Sequence, residues 1–316
     1  PGAVRKISLK IEKTPYSGQN HVRFFTEKFV RTGMVAALDY FSRDHLVDES
    51  PLMFVIKGEP QKLYSCSPKF SQSIGIYMDS LYKSQPKLIS QSAFVTTLDF
   101  IKDFHQEGKE PVMGVVEIAE VNPEEAATTQ TSGQEKEYEL ICRGLAAFKD
   151  GKLAGYMDAA ETAAYNFVVN KVKSAYVTVP AGDGESILEV IKSKADIKTS
   201  LEDGKVKLDI KVKVLADMSE ETGTIDISKI APIKEVEQSF NGLLEENIAQ
   251  AVKHAQTEFG SDIFGFGVYF HIQHPKQWKE IKSMWNQIFS RAEVNVTVTS
   301  SVTRTGEIKE PFQLED

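Results

Sequence analysis

Apolar side chains recur along this chain with two periods, and each change of period marks a new element. "KISLKI" sets Ile7, Leu9 and Ile11 against Lys6, Ser8 and Lys10, the alternation of a half-exposed strand. The loop "TPYSGQN" leads to a second short strand, "HVRFF". From Thr26 the period lengthens. Phe29, Val30, Met34, Ala37, Leu38 and Phe41 fall at helical spacing and predict one amphipathic helix over 26–42. "LMFVI" from Leu52 is a continuous apolar run ended by Gly58 and Pro60, as expected of a buried strand. This strand–helix–strand order favours parallel pairing. Residues 61–107 read as mostly helical, with breaks near Pro68, Pro86 and Gly108. "VMGVVEIA" from Val112 is a further strand, and "NPEEAATTQTSGQEKE" is a polar surface loop or disordered segment.

The second half is patterned more sharply. Asp150-Gly151 between two apolar stretches predicts a hairpin, because its turn needs positive φ. Ala160, Ala163, Ala164, Phe167 and Val168 give a helix, and "SAYVTVP" a strand closed by "AGDGE". In "KVKLDIKVKV" Val206, Leu208, Ile210, Val212 and Val214 face one way, while Lys205, Lys207, Asp209, Lys211 and Lys213 face the other. Asp203-Gly204 joins it to "ADIKTSL" as a second hairpin. One wet face points to an antiparallel sheet with helices on its other side. Val236, Phe240, Leu243, Leu244, Ile248, Ala251, Val252, Ala255 and Phe259 form one helical stripe that Gly260 stops. Trp278, Ile281, Trp285 and Ile288 mark another helix starting near Pro275. "AEVNVTVTSSV" returns as a strand with Ala292, Val294, Val296, Val298 and Val302 inward. The expected fold is α+β in three mixed α/β domains, 1–115, 116–172 and 173–316. The C-terminal domain is expected to be an antiparallel sheet packed on one face by long helices.

Composition narrows the function. The chain has 316 residues, 41% hydrophobic and 26% charged, which suits a folded protein of two or three domains. A net charge of −8 argues against a dedicated nucleic-acid binder and leaves room only for a small local basic patch. No apolar run approaches the roughly 18–20 residues of a spanning helix; the longest, Ile263 to Phe270, is interrupted by Gly265 and Gly267. "PGAVRK" carries no leader and reads as a processed or engineered start from which targeting information has been removed. Cys66 and Cys142 can form one disulfide at most, and their spacing does not suggest it. Two buried thiols are expected.

Chemistry is sparse. Of six histidines only His271 and His274 are close, and no third ligand completes a zinc site. There is no GxSxG elbow, Walker loop or CxxC pair. "AGDGES" is a tight turn rather than a phosphate loop. Glu124-Glu125 lies in a polar loop and suits acid–base work poorly, and the sequon at Asn295 falls on a strand. No enzyme is indicated, and no metal, nucleotide or organic cofactor is expected. In "DIFGFGVYFHIQHPKQW" (262–278) Asp262 can cap a helix beginning at Ile263. Gly265 and Gly267 suit close packing, and the aromatics a core beneath the sheet.

Three segments together carry a resemblance. The stretch from Asp262 through "KEIKSMWNQIFSRAEVNVTVTSSVTRTG" resembles the C-terminal signature of the Ger(x)C family, with Asp262, Gly265, Gly267, Trp278 and Trp285 as its structural positions. "RGLAAFKDGKLAGYMDAAET" is similar to the family's middle hairpin motif. "TEKFVRTGMVAALDYFSRDHLVDESPLMFVIKGE" resembles its N-terminal segment, including Arg43-Asp44. The match covers most of 21–308 in order; part of the segment between "KISLKI" and "HVRFF" departs from the pattern. The resemblance implies a non-catalytic lipoprotein subunit of a spore germinant receptor. Such a subunit works with membrane subunits A and B and is tethered by a lipidated (palmitate-bearing) N-terminal cysteine to the outer face of the spore inner membrane. Neither Cys66 nor Cys142 sits in such a context, so the chain is expected to be a soluble form without its anchor. Arg43 and Asp44 are the candidate partner-binding residues, with a solvated charge pair as the plainer reading. The competing function is an extracytoplasmic solute-binding module that takes the nutrient itself. A hydrolase ranks last, for want of a nucleophile–base arrangement.

Overall fold

The computed structural model describes residues 20–43, 50–66, 71–87, 89–121, 138–202, 204–222 and 230–304. The strand expected at "KISLKI" and the acidic loop after Asn122 lie outside them.

The first sheet has five strands. β1 (Val22–Thr26), β2 (Leu52–Lys57) and β3 (Val112–Glu120) run parallel; β4 (Tyr138–Lys149) and β5 (Lys152–Met157) continue antiparallel. The crossover from β1 to β2 was expected as one helix over 26–42. It is two, α1 (Glu27–Thr32) and α2 (Val35–Arg43), because Gly33 adopts φ 127° and Met34 N–H donates to Gly151 C=O at 2.8 Å. The apolar period runs unbroken through that corner, so the spacing alone conceals it. Between β2 and β3 lie a 3₁₀ turn over Pro60–Ser65, α3 (Ile74–Ser84) and α4 (Thr97–His105). Residues 91–96 are irregular rather than helical, with isolated bridges from Ser92 to Gly144 and from Thr96 to Leu52. Thr96 opens α4 with a reciprocal capping box to Asp99.

Both faces of this sheet are covered. Met53 and Val55 join the main core, whereas Leu52 and Phe54 join a smaller cluster with Cys66, Met78, Val116 and Cys142. The two cysteines are free and buried there. Burial pushes the Cys142 thiol up to about 12, so it is an inert core group. The Asp150-Gly151 turn closes β4 onto β5 with φ of 49° and 73°, as the dipeptide required. The sheet is continuous across residue 115, which lies within β3.

α5 (Ala159–Val168) follows, capped by Asp158 and Glu161, and packs against both the first sheet and the second. The second sheet has the order β6 (Tyr176–Ala181), β7 (Gly184–Glu202), β8 (Lys205–Glu221), β9 (Glu293–Arg304). It is antiparallel as expected through β8, but β9 joins β8 in parallel. The helices between them make a crossover connection, and such a connection returns the chain in the same direction. The lysine–apolar alternation of β8 holds: Val206, Leu208, Ile210, Val212 and Val214 are buried and the lysines are not.

α6 (Ile230–His254) lies along the covered face, burying Val236, Phe240, Leu244, Ile248, Ala251 and Val252. Its glutamates also guard the open edge of β9: Glu245 accepts Val298 N–H and Glu237 accepts Val302 N–H, both at 2.8 Å. A π turn over Ala255–Phe259 ends at Gly260 in the left-handed region (φ 54°). Then come α7 (Phe266–Gln273), α8 (Pro275–Ile281), a 3₁₀ turn over Lys282–Met284, and α9 (Trp285–Phe289). The helix expected from Pro275 through Ile288 is thus broken, and the break turns Trp285 back toward Asp262. Among the described residues no helix is long and apolar enough to cross a membrane.

Candidate functional site

The best-built polar constellation sits where the first half of the chain meets the last. Asp262 is fully buried. One carboxylate oxygen accepts Gly265 N–H at 2.8 Å; the other accepts Gly267 N–H and the Trp285 indole N–H, each at 2.8 Å. Asp262 therefore caps as expected, but on a helix that begins at Phe266 rather than Ile263. Gly265, left-handed at φ 79°, turns the chain so that the carboxylate reaches forward to the first free N–H groups of α7. Burial pushes the carboxyl up to about 6, and the donors from Gly267, Trp285 and the neighbouring backbone resist that rise.

The main chain of Asp262 binds the other half of the molecule. Its C=O accepts Glu110 N–H at 2.8 Å, and its N–H donates to Asn286 Oδ1 at 3.2 Å. Asn286 Nδ2 donates to Glu110 Oε1 at 2.9 Å, which closes a ring of Asp262, Glu110 and Asn286. Glu110 also accepts Asp150 N–H at 3.2 Å and so reaches the β4–β5 turn. Burial raises the Glu110 carboxyl, against the pull of Asn286. Beside the ring, backbone meets backbone. A Cβ on Gly267 would stand 2.6 Å from Gly108 Cα and 2.6 Å from Trp285 Nε1. Only glycine allows this approach. Trp278 and Trp285 are buried with ring centroids 5.3 Å apart, and Phe270 lies against both. Trp278 N–H reaches Glu107 at 3.4 Å, and Lys282 pairs with the same carboxylate at 2.7 Å.

Of the five signature positions, four form one unit of carboxylate, two glycines and an indole; Trp278 packs on it. Gly108, Glu110 and Asn286 complete the junction; the sequence marked Gly108 only as a break and gave no sign of Glu110 or Asn286, because their roles come from contacts between the two halves of the chain. His271 stacks on Trp278, and His274 Nε2 lies 2.8 Å from Thr199 C=O, so the two do not converge on a common point. Among the described residues no group of three or more His, Cys, Asp or Glu side chains is placed to hold a metal. Arg43 is exposed and pairs with Asp39 at 2.6 Å along its own helix; Asp44 lies outside the described residues. A surface cleft of about 610 Å³ opens beside the junction, walled by Phe104, Met284 and Trp285 and edged by Lys149, Glu110 and Lys282.

Fold and junction define a two-sheet protein whose most elaborate polar site joins its own parts. Comparison with known proteins then places it. Residues 1–118 match the family described as spore germination protein N-terminal domain, and residues 143–306 match spore germination B3/GerAC like, C-terminal. The chain belongs to this Ger(x)C family of spore germination proteins. It is 25% identical over 158 residues to spore germination protein B3 of Bacillus subtilis (strain 168), covering 50% of this chain and 42% of that protein. Putative spore germination protein YfkR of the same strain is 18% identical over 306 residues, covering 96% of this chain and 76% of its own. The match to spore germination protein YndF, also of that strain, spans 51% of this chain and 40% of that protein at 22% identity. The chain thus spans about two-fifths of the length of two of these relatives. The crystal structure of the GerBC protein superposes with a TM-score of 0.66 at 20% identity, over 94% of this chain and 82% of that one, and shares the fold.

Proposed function

We propose that this chain is the C subunit of a nutrient germinant receptor and that it contributes no chemistry of its own. The observation that carries the reading is the match of both family domains, in order, on either side of a junction whose buried polar groups are all engaged with one another. A buried carboxylate with three donors is a structural fastening. A general base needs a proton within reach and a substrate beside it. On this reading the subunit works beside the A and B membrane subunits, held by an N-terminal lipid at the outer face of the spore inner membrane. Removing the chain from spores should abolish the response to the cognate nutrient, and an affinity tag on it should recover two membrane subunits. Normal germination without the chain, or recovery of the chain alone, defeats the proposal.

Arg43 and Asp44 enter as a proposed contact with those subunits, supported by the exposure of Arg43 at the end of α2. Reversing both charges should abolish the nutrient response at a normal level of protein. An unchanged response leaves the pair a solvated one.

The cleft beside Trp285 supports a second reading, direct capture of the nutrient, since apolar walls edged by charges of both signs suit a small zwitterion. A binder gains stability once ligand passes its dissociation constant, so thermal melting against nutrient amino acids and sugars separates the two readings.

A further inference from the structure

β7 outruns the strand beside it. β6 pairs only with residues 184–189, and β7 continues to Glu202. A bulge between Val190 and Lys192 marks where β6 ends. Beyond it, one edge of β7 bonds to β8, and the other has no strand beside it among the described residues. A row of unpaired N–H and C=O groups is a template for another strand. Here the row is already paired, with side chains. Asn170 Oδ1 accepts Ala195 N–H at 2.7 Å, and Asn170 Nδ2 donates to Ala195 C=O at 3.1 Å. Gln273 Oε1 accepts Thr199 N–H at 2.8 Å, and Gln273 Nε2 donates to Ile197 C=O at 2.9 Å. His274 Nε2 lies 2.8 Å from Thr199 C=O. A carbonyl only accepts, so this imidazole carries a proton on Nε2. Residues 195, 197 and 199 share one edge by the two-residue period of a strand.

The side chains take the place of a strand. Asn170 exchanges both bonds with one residue, as a hydrogen-bonded pair does in an antiparallel ladder. The chain is bent to deliver them. Asn170, just past α5, sits at φ 59°, a left-handed conformation that asparagine tolerates. Pro275 disfavours the helical region for the residue before it, and His274 leaves the helix at φ −134° and ψ 59°. α7 therefore stops at Gln273, where both side chains reach the sheet. The other two edges are closed differently. Glu237 and Glu245 accept N–H groups of β9. β6 has six residues and carries Pro180, and shortness and proline both blunt an edge.

The covered edge is complementary to itself. An antiparallel pairing of two copies about Ile197 would set Ala195 against Thr199, Asp196 against Lys198, and Lys192 against Glu202. Opposite charges directly across a ladder stabilise it. Such a pairing closes on a two-fold axis. We propose that Asn170, Gln273 and His274 form a seal that keeps the β7 overhang from pairing with the same edge of a second copy of this chain. The seal acts whether or not the chain serves in a receptor.

A variant that opens the edge and leaves both turns intact tests this. Asn170→Gly keeps the left-handed turn and loses the amide; Gln273→Ala shortens a side chain at a helix end. Together they free the N–H and C=O of Ala195, the C=O of Ile197 and the N–H of Thr199. Sedimentation over a concentration series should show the double variant dimerising with a dissociation constant at least about tenfold below that of wild type. Amide exchange should find Ala195 and Thr199 protected again in that dimer. Adding Lys198→Glu sets like charges across the new ladder and should reverse the association. The proposal is overturned if the double variant melts like wild type and associates no more than it does. It also fails if the dimer leaves the Ala195 and Thr199 amides exchanging freely, or if Lys198→Glu leaves association unchanged. Should the double variant not fold, exchange in the wild-type monomer decides. Slow exchange at both amides, with Gln273→Ala alone speeding Thr199 and sparing Ala195, supports the seal; exchange as fast as in an unstructured peptide overturns it.

Discussion

The two sheets solve burial in opposite ways. In the first, β2 is buried on both faces: Met53 and Val55 look into the main core, Leu52 and Phe54 into the smaller one. In the second, β8 alternates, with Ile210 and Val212 buried and Lys211 and Lys213 in water. A sheet closed on both sides reads as an unbroken apolar run, and a sheet closed on one side as a period of two. The difference decides which positions tolerate change. Among the described residues it also leaves one face of the second sheet exposed to water.

The sharpest break of this comparison lies at the seam. Asp262→Ala leaves three buried donors unpaired, at about 1–3 kcal/mol each, and denaturant unfolding should show a loss of about 3 kcal/mol or more. A loss under about 1 kcal/mol would mean that water replaces the carboxylate and that the junction is not dry. Phe54→Ala on one face of β2 should cost about 3–5 kcal/mol, and Ile210→Ala on β8 about 2–5 kcal/mol. If either is mild, the two sheets do not differ as their burial suggests. Gly267→Leu forces a side chain into Gly108 and should cost roughly 1–3 kcal/mol or more by overpacking; a soluble, fully stable variant would show the seam free to open.

The seam should also titrate. The folded Asp262 carboxyl lies near 6, above its usual value of 3.8. The folded chain therefore keeps a proton that the unfolded chain has released. Stability from this group is present below the unfolded value and is lost as pH rises through about 6. The wild type should gain on Asp262→Asn as pH falls from neutral toward 4, by up to about 3 kcal/mol for a carboxyl raised from 3.8 to about 6. Glu110, raised in the same direction, stays common to both proteins. A pH-independent difference would place the shift elsewhere. The smallest effect belongs to the open face. Lys211→Ala should change stability by less than about 0.5 kcal/mol, and thermal melting that shows more would mean that the lysine row supports the fold.

Much of this is legible in one dimension. Alternation in "KVKLDIKVKV" set the inward and outward residues of β8, and Asp150-Gly151 set the β4–β5 turn, because a two-residue period and a positive-φ turn are local requirements. Val236 through Val252 gave the buried stripe of α6, and Ala255 and Phe259 carry it on into the π turn, for the same reason. "DIFGFG" could be read as capping plus close packing, since an aspartate before glycines has few other uses. Its partners could not be read. That Asp262 reaches past Gly265 to α7, that Trp285 turns back to it, and that Glu110 and Gly108 come from the opposite half all depend on contacts between distant segments. So does the parallel return of β9, which follows from the crossover above it and not from its own alternation. Local sequence determined which residues are apolar in which rhythm and where the chain must turn. Only the tertiary structure decided which buried polar group meets which, because the cost of burying an unpaired carboxylate or N–H is met by whatever donor or acceptor packing brings within about 3 Å.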